Sequence, residues 1–327
     1  MSVSSRIGVV AIGRNEGERL VRCLQSLRRS GFPVVYVDSN SSDGSFDRAR
    51  ELGACPVQLD LNRPFTAARA RNFGYATLIR ANPDLEIVQF VDGDCEVDAE
   101  WMATALQFLD EHPEAAVACG RRRERFPDAS PYNLMCDMEW DTPVGEAKAC
   151  GGDAMVRVKA FTQVGGYRDS LIAGEEPELC IRLRQAGWKI FRLDAEMTLH
   201  DAAMTRFGQW WRRSVRAGFA FAEGAHLHGA PPERHWVRES RRAWIWGVVL
   251  PTATLLLAVA LGPRAFLLLL VYPAQVLRLA LKRKGSPRER LIWASLIVIG
   301  KFAEAAGQVR FMLARIRNAP QKLIEYK

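Results

Sequence analysis

The sequence LEIVQFVDGD, residues 85–94, joins an apolar run to two carboxylates separated by one glycine. The run from Leu85 to Val91 is short and rich in branched and aromatic residues, as in a buried β-strand. Asp92, Gly93 and Asp94 follow directly, so the chain would leave this strand at a sharp turn with two acidic side chains. Such a pair can hold a hard divalent cation with positions left open for diphosphate oxygens. Asp-Gly-Asp is also ordinary turn chemistry, so the motif alone leaves both interpretations open.

Apolar runs of the same kind alternate with helical patterns upstream of this segment. The runs cover residues 7–12, 34–37 and 57–59, and one of the helical patterns covers residues 66–80. Strands separated by helices predict an α/β fold with a mostly parallel sheet and right-handed crossovers. Ligands of such sheets bind at the carboxyl ends of the strands. Polar segments stand at those ends: residues 13–16, 38–44 and 92–94.

Composition and charge narrow the class of protein. The chain has 327 residues, 48% hydrophobic and 25% charged, which excludes disordered, collagen-like and disulfide-scaffold classes. The net charge of +8 comes from residues 241–327, which carry 15 Lys and Arg against 3 acidic residues. The remaining residues are slightly acidic, so the main domain is not expected to bind nucleic acid.

Seven cysteines, all within the first 180 residues and without a CxxC pair, fit a reducing cytoplasm. The first six residues are too few and too weakly charged for a secretory signal.

The C-terminal part predicts a membrane anchor. The stretch AWIWGVVLPTATLLLAVALG, residues 243–262, has no charge and as a helix would cover about 30 Å, the thickness of a bilayer core. Residues 265–281 form a second predicted span. Both outer flanks are basic, which predicts that they lie in the cytoplasm, with the preceding domain on the cytoplasmic side of a plasma or inner membrane.

Residues 291–317 are amphipathic and basic, and we expect an interfacial helix rather than a third crossing. A buried helical subdomain of a soluble protein is the alternative for all three pieces. The predicted domains are therefore residues 1–235 and a membrane-anchoring region, residues 236–327.

Six segments, taken in order, resemble motifs of the family 2 glycosyltransferases, which have the GT-A nucleotide-sugar-binding fold. They are VVAIGRNE at 9–16, VDSNSSDG at 37–44, ARNFG at 70–74, DGD at 92–94, GGDAMVR at 151–157 and GEEPEL at 174–179. The resemblance implies a GT-A fold for roughly residues 7–216 and a nucleotide-sugar donor linked to UDP or GDP. It departs from the family pattern at Ser39, where a second Asp is common, and at Glu176, where Asp is expected.

The same resemblance implies roles for individual residues. The donor-binding residues would be Asp38, Ser39, Asp43, Arg71 and Asp92. Asp94, together with His200, would bind Mn²⁺ or Mg²⁺, although a lone histidine is more often structural. Glu176 would be the catalytic base, with Glu175 as the alternative. The acceptor-binding residues would be Gly152, Asp153, Gln209, Trp210 and Arg212.

The sequence therefore predicts a membrane-anchored, metal-dependent transferase of an inverting type. It would move a sugar from a nucleotide-diphosphate donor to a lipid-linked or saccharide acceptor at the membrane, where tethering raises the effective acceptor concentration. Three alternatives stay open: a retaining transferase, a nucleotidyltransferase and a noncatalytic membrane scaffold that binds nucleotide sugars. The aromatic pair at 210–211 could stack on an acceptor sugar or pack the domain against the bilayer.

Overall fold

The computed structural model describes residues 6–28, 31–60, 62–317 and 324. The expectation about a secretory signal concerns the first residues of the chain, of which residues 1–5 lie outside the described part. Within the described ranges the chain forms two compact units. The first comprises Met1–Arg125 and Asp137–Ala202, and the second comprises Phe126–Cys136 and Ala203–Lys327.

A nine-stranded mixed sheet forms the centre of the first unit, as the alternating apolar runs predicted. Its strands are β1 (Ile7–Gly13), β2 (Val34–Asp38), β3 (Cys55–Gln58), β4 (Ile87–Asp92), β5 (Cys95–Val97), β6 (Ala115–Glu124), β7 (Gly145–Glu146), β8 (Ala154–Arg157) and β9 (Lys189–His200). The spatial order is β3-β2-β1-β4-β8-β6-β9-β5, with β7 paired to β9. Strands β1 to β4 pair in parallel, β6 is parallel to β9, and β8 is antiparallel to both of its neighbours.

The helices of this region connect the strands. They are α1 (Glu18–Arg28), α2 (Ser45–Glu51), α3 (Ala67–Ala81), α4 (Trp101–Glu111), α5 (Pro131–Trp140), α6 (Val158–Gln163) and α7 (Glu175–Gln185). The predicted helix at 66–80 is α3, which begins one residue later because Thr66 is its N-cap and accepts a hydrogen bond from Arg69 N. The apolar runs at 7–12, 34–37 and 85–91 supply about half of the buried strand residues of the core.

Close contact between α3 and the sheet depends on a glycine. A Cβ on Gly74 would lie 2.5 Å from Val10 Cγ1 and 2.8 Å from Val37 Cγ2. Only a residue without a side chain allows the helix to approach β1 and β2 this closely. The approach brings Arg71, one turn earlier on α3, to the sheet.

The second unit is built from helices: α8 (Phe207–His228), α9 (Val237–Trp244), α10 (Leu250–Leu261), α11 (Val271–Lys282) and α12 (Pro287–Ile316). A π-helical segment, Ile245–Val249, joins α9 to α10, and a 3₁₀ segment, Pro263–Leu270, leads into α11. Among the described residues, three continuous helical stretches are long and apolar enough to cross a membrane: Val237–Leu261, Pro263–Lys282 and Pro287–Ile316. They are therefore candidate membrane anchors.

The first two stretches contain the two predicted spans, and their leucines are largely exposed. The third contains the predicted interfacial helix, but it is one continuous helix of 30 residues that begins at a capping box on Ser286. Nearly half of its most apolar window is buried within the protein. The interfacial position of this helix at the bilayer surface stays a prediction.

Helix α8 packs closely on α12 within the second unit. A Cβ on Gly218 would lie 2.0 Å from Glu304 O, and a Cβ on Gly307 would lie 2.0 Å from Val215 O. Small residues on both helices thus let the two backbones touch. Residues 203–235 consequently group with the C-terminal helices, whereas the sequence placed them in the first domain. The functional division at residue 235 remains a prediction.

Candidate active site

The carboxyl ends of β2 and β4 bring two predicted site residues to one edge of the sheet. Both strands flank β1, with Gly13 paired to Asp38 on one side and Ile12 paired to Asp92 on the other. The turn after β4 is tight, because a Cβ on Gly93 would lie 3.0 Å from Ile12 O. Parallel pairing therefore places Asp38 and the Asp-Gly-Asp motif at the same rim.

Arg71 is the centre of the cluster at this rim. Its side chain is 2% exposed, and it donates to Glu175 Oε1 at 2.8 Å and to Asp92 Oδ1 at 2.7 Å. Its Nη1 also lies 3.4 Å from Glu176 Oε1. One buried guanidinium thus joins the end of β4 to the start of α7, which lies 104 residues after Arg71 in the chain.

The two adjacent glutamates of α7 have different surroundings. Glu175 is buried and paired with Arg71, whereas the Glu176 side chain is 17% exposed and only at the edge of that contact. Burial, together with the neighbouring charge of Glu175, raises the pKa of Glu176 to about 7, although Arg71 opposes this. Glu176 is therefore the carboxylate that can gain and lose a proton near neutral pH.

Arg122 and Asp153 support the site from behind. Arg122 Nη2 donates to Asp92 Oδ2 at 2.9 Å, and its Nε donates to Asp153 Oδ2 at 2.9 Å. Asp153 is completely buried and also accepts from Asp92 N and from the Thr198 hydroxyl. Burial alone would raise the pKa of Asp92, but Arg71 and Arg122 outweigh it, and the pKa is lowered. Asp92 therefore stays ionised between two guanidinium groups.

Asp94 and His200 meet, as the resemblance implied. His200 Nε2 lies 3.2 Å from Asp94 Oδ2, and its Nδ1 lies 3.4 Å from Glu124 Oε2. All three side chains are buried. Burial lowers the pKa of His200, but the Asp94 carboxylate and its hydrogen bond raise it by more, so the net shift is upward. Within the described residues, one oxygen of Asp94, Cys95 Sγ and one His200 nitrogen lie within 4.8 Å of one another and could hold a metal ion.

Trp140 covers this group. Its ring lies edge-on to His200, with 4.7 Å between the centroids, and Arg122 Cζ is 5.3 Å from its centroid. Arg122, Glu124 and Trp140 are not among the predicted site residues. Arg122 had a signal, since three consecutive arginines follow the apolar run AAVACG, but Glu124 and Trp140 had none.

The predicted nucleoside-binding segment after β2 is ordered by its own acidic residues. Asp38 Oδ2 accepts from Ser41 N at 2.8 Å, and Ser39 N donates to Gly13 O. Asp43 accepts from Gly17 N and from Ser45 N. Its pKa is lowered, because hydrogen bonds from Ser45 and Gly17 outweigh the effect of burial. The segment is thus a preformed loop at the rim.

Gly152 faces three site groups at once. A Cβ there would lie 2.7 Å from Arg71 Nη2, 2.8 Å from Asp92 Oδ2 and 3.1 Å from Glu176 Oε1. Any side chain at this position would displace them. The double-glycine segment therefore leaves the space between Arg71, Asp92 and Glu176 open.

The other predicted acceptor residues belong to the second unit. Gln209 caps α8 by accepting from Thr205 N and Arg206 N. Trp210 is buried, with its ring stacked on Tyr132 and its Cζ2 3.6 Å from the Cβ position of Gly300. Arg212 is exposed on α8. The structure thus groups Asp38, Arg71, Asp92, Asp94, Asp153, Glu176 and His200 within the first unit and Gln209, Trp210 and Arg212 within the second.

Comparison with known proteins agrees with this geometry. Residues 9–162 match the family model described as glycosyl transferase family 2. The chain is 23% identical to glycosyltransferase AglE of Haloferax volcanii over 225 residues, covering 65% of this chain and 71% of that protein. It is 26% identical to the pre-mycofactocin glycosyltransferase of Mycobacterium tuberculosis over 247 residues, covering 68% of this chain but only 48% of that protein.

Among solved structures, the mannosyltransferase PcManGT of Pyrobaculum calidifontis, in complex with GDP-Man and Mn²⁺, superposes with a TM-score of 0.65. The alignment covers 94% of this chain and 87% of that one at 18% identity.

The fold and these matches define the class: the chain is a glycosyltransferase with a GT-A domain. Its matched segment is a domain of glycosyl transferase family 2, which confirms the family that the motifs predicted. The match includes Asp38, Arg71, Asp92, Asp94 and Asp153 and ends before α7.

Proposed function

We propose that this chain transfers a sugar from a nucleoside diphosphate sugar to a membrane-associated, lipid-linked or saccharide acceptor, with inversion at the anomeric carbon. The observation that carries the proposal is the Arg71 cluster. One buried guanidinium contacts Asp92, on the donor side of the rim, and lies beside Glu176, which has the pKa of a general base. Donor and acceptor chemistry would thus meet around the space that Gly152 leaves open.

The donor would bind at the rim formed by the ends of β1, β2 and β4. The preformed loop containing Asp38, Ser39 and Asp43 would hold the nucleoside, and Arg71 would face the diphosphate. UDP and GDP are the nucleotides we propose. The related fold of PcManGT, which was solved with GDP-Man, supports a nucleotide diphosphate sugar as the class of donor.

The donor set of Asp94 and His200 fits a divalent cation. A buried carboxylate oxygen and an imidazole nitrogen 3.2 Å apart form a mixed oxygen and nitrogen site, which suits Mn²⁺ and also accepts Mg²⁺. Glu124 contacts the other ring nitrogen of His200 and would orient the imidazole, as carboxylates commonly do behind metal-binding histidines. Such a cation, when bound, would neutralise charge that develops on the departing diphosphate.

Glu176 would accept the proton of the attacking acceptor hydroxyl. Its partial exposure leaves it accessible, whereas Glu175 is committed to Arg71 and is better suited to hold that arginine in place. Asp153 has no exposed surface, so we assign it the positioning of Asp92 and Arg122 rather than contact with the acceptor. The backbone at Gly152 would then be the part of this segment nearest the acceptor.

The membrane helices favour an acceptor at the bilayer surface. By the positive-inside rule, the basic flanks near residues 241–242 and 282–290 support a position of the catalytic domain on the cytoplasmic side of a plasma or inner membrane. Trp210 is buried against α12, which favours a packing role, and the neighbouring α8 residues Gln209 and Arg212 are candidates for acceptor contact.

The test is a two-stage assay on the full chain in detergent. Thermal unfolding with a panel of UDP- and GDP-sugars, with and without Mn²⁺ or Mg²⁺, identifies the donor, because a ligand that binds only the folded state raises its melting temperature. Transfer to lipid-phosphate and saccharide acceptors is then measured, and the anomeric configuration of the product is determined by NMR. Donor binding without turnover across these acceptors would favour the noncatalytic scaffold, and a retained configuration would exclude Glu176 as the base of a single displacement.

A further inference from the structure

A pocket of about 370 Å³ lies in the first unit, where β6 and β9 face the loop after α5. Its lining includes Arg121, Arg123, Arg192, Asp141 and Val144. None of these residues belongs to the cluster around Arg71 or to the group around Asp94.

Two of the arginines are almost completely buried, but they differ in how well they are paired. Arg121 is 6% exposed and donates to Asp137 Oδ2 at 3.1 Å and to two backbone carbonyls. Arg192 is 5% exposed, and its one hydrogen bond in the described part of the chain is a long one, 3.5 Å, to Leu193 O. Its buried Nε has no hydrogen-bond partner among the described residues. A buried guanidinium with unused donors is costly unless an anion completes it.

In the structure, one carboxylate oxygen of Asp141 lies between the two guanidinium groups, where such an anion would bind. Asp141 Oδ1 lies 3.7 Å from Arg121 Nε and 3.8 Å from Arg192 Nη2, too far for a hydrogen bond to either. The Asp141 side chain is 67% exposed, so it can swing away from the pocket.

The other acidic groups nearby do not fill this place. Glu196 is held by two hydrogen bonds of 2.7 Å from Arg123, and Asp137 accepts from Arg121 and from Glu124 N. With Asp194, which also lines the pocket, the acidic and basic side chains of the lining balance to a net charge close to neutral. Recognition of an anion would therefore depend on short-range contacts with the guanidinium groups of Arg121 and Arg192.

We propose that this pocket is an anion-binding site for a phosphate group, held between Arg121 and Arg192 in exchange with Asp141. A tetrahedral oxyanion can approach both guanidinium groups to hydrogen-bond distance at once, which the Asp141 carboxylate does not. Asp141 directly follows Trp140, whose ring covers His200 and Arg122. A phosphate that displaces Asp141 would therefore act on the segment that covers the candidate metal group.

The experiment measures binding of inorganic phosphate to the full chain in detergent by isothermal titration. EDTA and the absence of divalent ions exclude binding through a metal at Asp94, and sodium chloride keeps the ionic strength constant. Asp141→Asn should bind phosphate about fivefold more tightly than the wild type, because an exposed competing charge is removed. Arg192→Gln should bind at least tenfold more weakly. Arg123→Gln, which breaks an exposed pair in the same lining, is the control and should stay within twofold.

Equal affinity of the wild type, Asp141→Asn and Arg192→Gln would overturn the proposal, and so would the absence of saturable binding in both the wild type and Asp141→Asn. Because Asp141 is exposed, its variant remains decisive even if Arg192→Gln does not fold. A parallel titration with butyl phosphate separates the two sources of the anion. Tighter binding of butyl phosphate assigns the site to a phosphate on an organic ligand, and tighter or equal binding of inorganic phosphate assigns it to the free ion. Neither titration involves sugar transfer, so the outcome is independent of the proposed function.

Discussion

Replacement of Glu176 by Gln tests the proposed base directly. Gln keeps the size of the side chain but cannot accept a proton. General-base catalysis contributes about 10² to 10⁴ in rate, so kcat should fall by that factor, which corresponds to about 3–5 kcal/mol of barrier. Stability should change little, because Glu176 is 3.4 Å from Arg71 and shares that arginine with two better-placed partners.

The pH profile of the wild-type enzyme gives the second part of this test. Burial and the charge of Glu175 disfavour the ionised form, and the pKa of Glu176 is about 7. The base is active when deprotonated, so kcat/KM is lost as the pH falls through 7. About a tenth of the molecules carry the active form at pH 6 and about nine tenths at pH 8, which predicts a roughly tenfold rise in kcat/KM between them.

The adjacent Glu175→Gln variant is the matched control. It removes the carboxylate that pairs with Arg71 at 2.8 Å and should lower the free energy of unfolding by about 2 kcal/mol. It also removes a negative charge that raises the pKa of Glu176, so the acidic limb of the profile should move to lower pH. Denaturant unfolding measures the first effect. The second is followed by kcat/KM for the acceptor, obtained from initial rates of nucleoside diphosphate release from pH 5 to 9 with saturating donor. The assignment fails if Glu176→Gln retains more than a tenth of wild-type activity, or if the wild-type acidic limb lies below pH 5.

Three further variants test other parts of the structure. Gly152→Ala should lower kcat/KM at least tenfold, because its Cβ would meet Arg71, Asp92 and Glu176 together; wild-type kinetics would contradict this. Glu124→Gln should weaken Mn²⁺ binding about 10- to 100-fold, as measured by titration, by releasing His200, and an unchanged affinity would place the cation elsewhere. Gly218→Ala should lower the free energy of unfolding by about 1–3 kcal/mol, since a Cβ would collide with the backbone of α12, and unaltered denaturant unfolding would argue against that contact.

Much of the fold could be predicted because it depends on patterns within short segments of the sequence. Short apolar runs ending in polar turns predicted β1, β2 and β4 and the rim where they end. Short motifs likewise predicted Arg71 on α3 and the Asp-Gly-Asp turn after β4. Long apolar stretches predicted the candidate membrane-spanning helices, because length and hydropathy are properties of a segment and need no knowledge of its neighbours.

Tertiary structure decided everything that depends on which segments meet. Arg122 and Glu124 join the site because β6 lies beside β8 and β9 in the sheet, and strand order is not visible in a single sequence. Helix α12 packs on α8 through Glu304 and Gly307. Its amphipathic composition predicted an interfacial helix, but part of its surface is buried within the protein.

The adjacent residues Glu175 and Glu176 show most clearly what the sequence alone does not determine. Glu175 and Glu176 carry the same side chain one residue apart, and the motif allows either as the base. Their different surroundings follow from a rotation of about 100° around α7, which turns one carboxylate into the buried contact with Arg71 and leaves the other partly exposed. The sequence determined that carboxylates would stand at this rim. Only the packing of α7 against Arg71 decided how each is buried and which charges surround it, and burial together with the charge of Glu175 raises the pKa of Glu176.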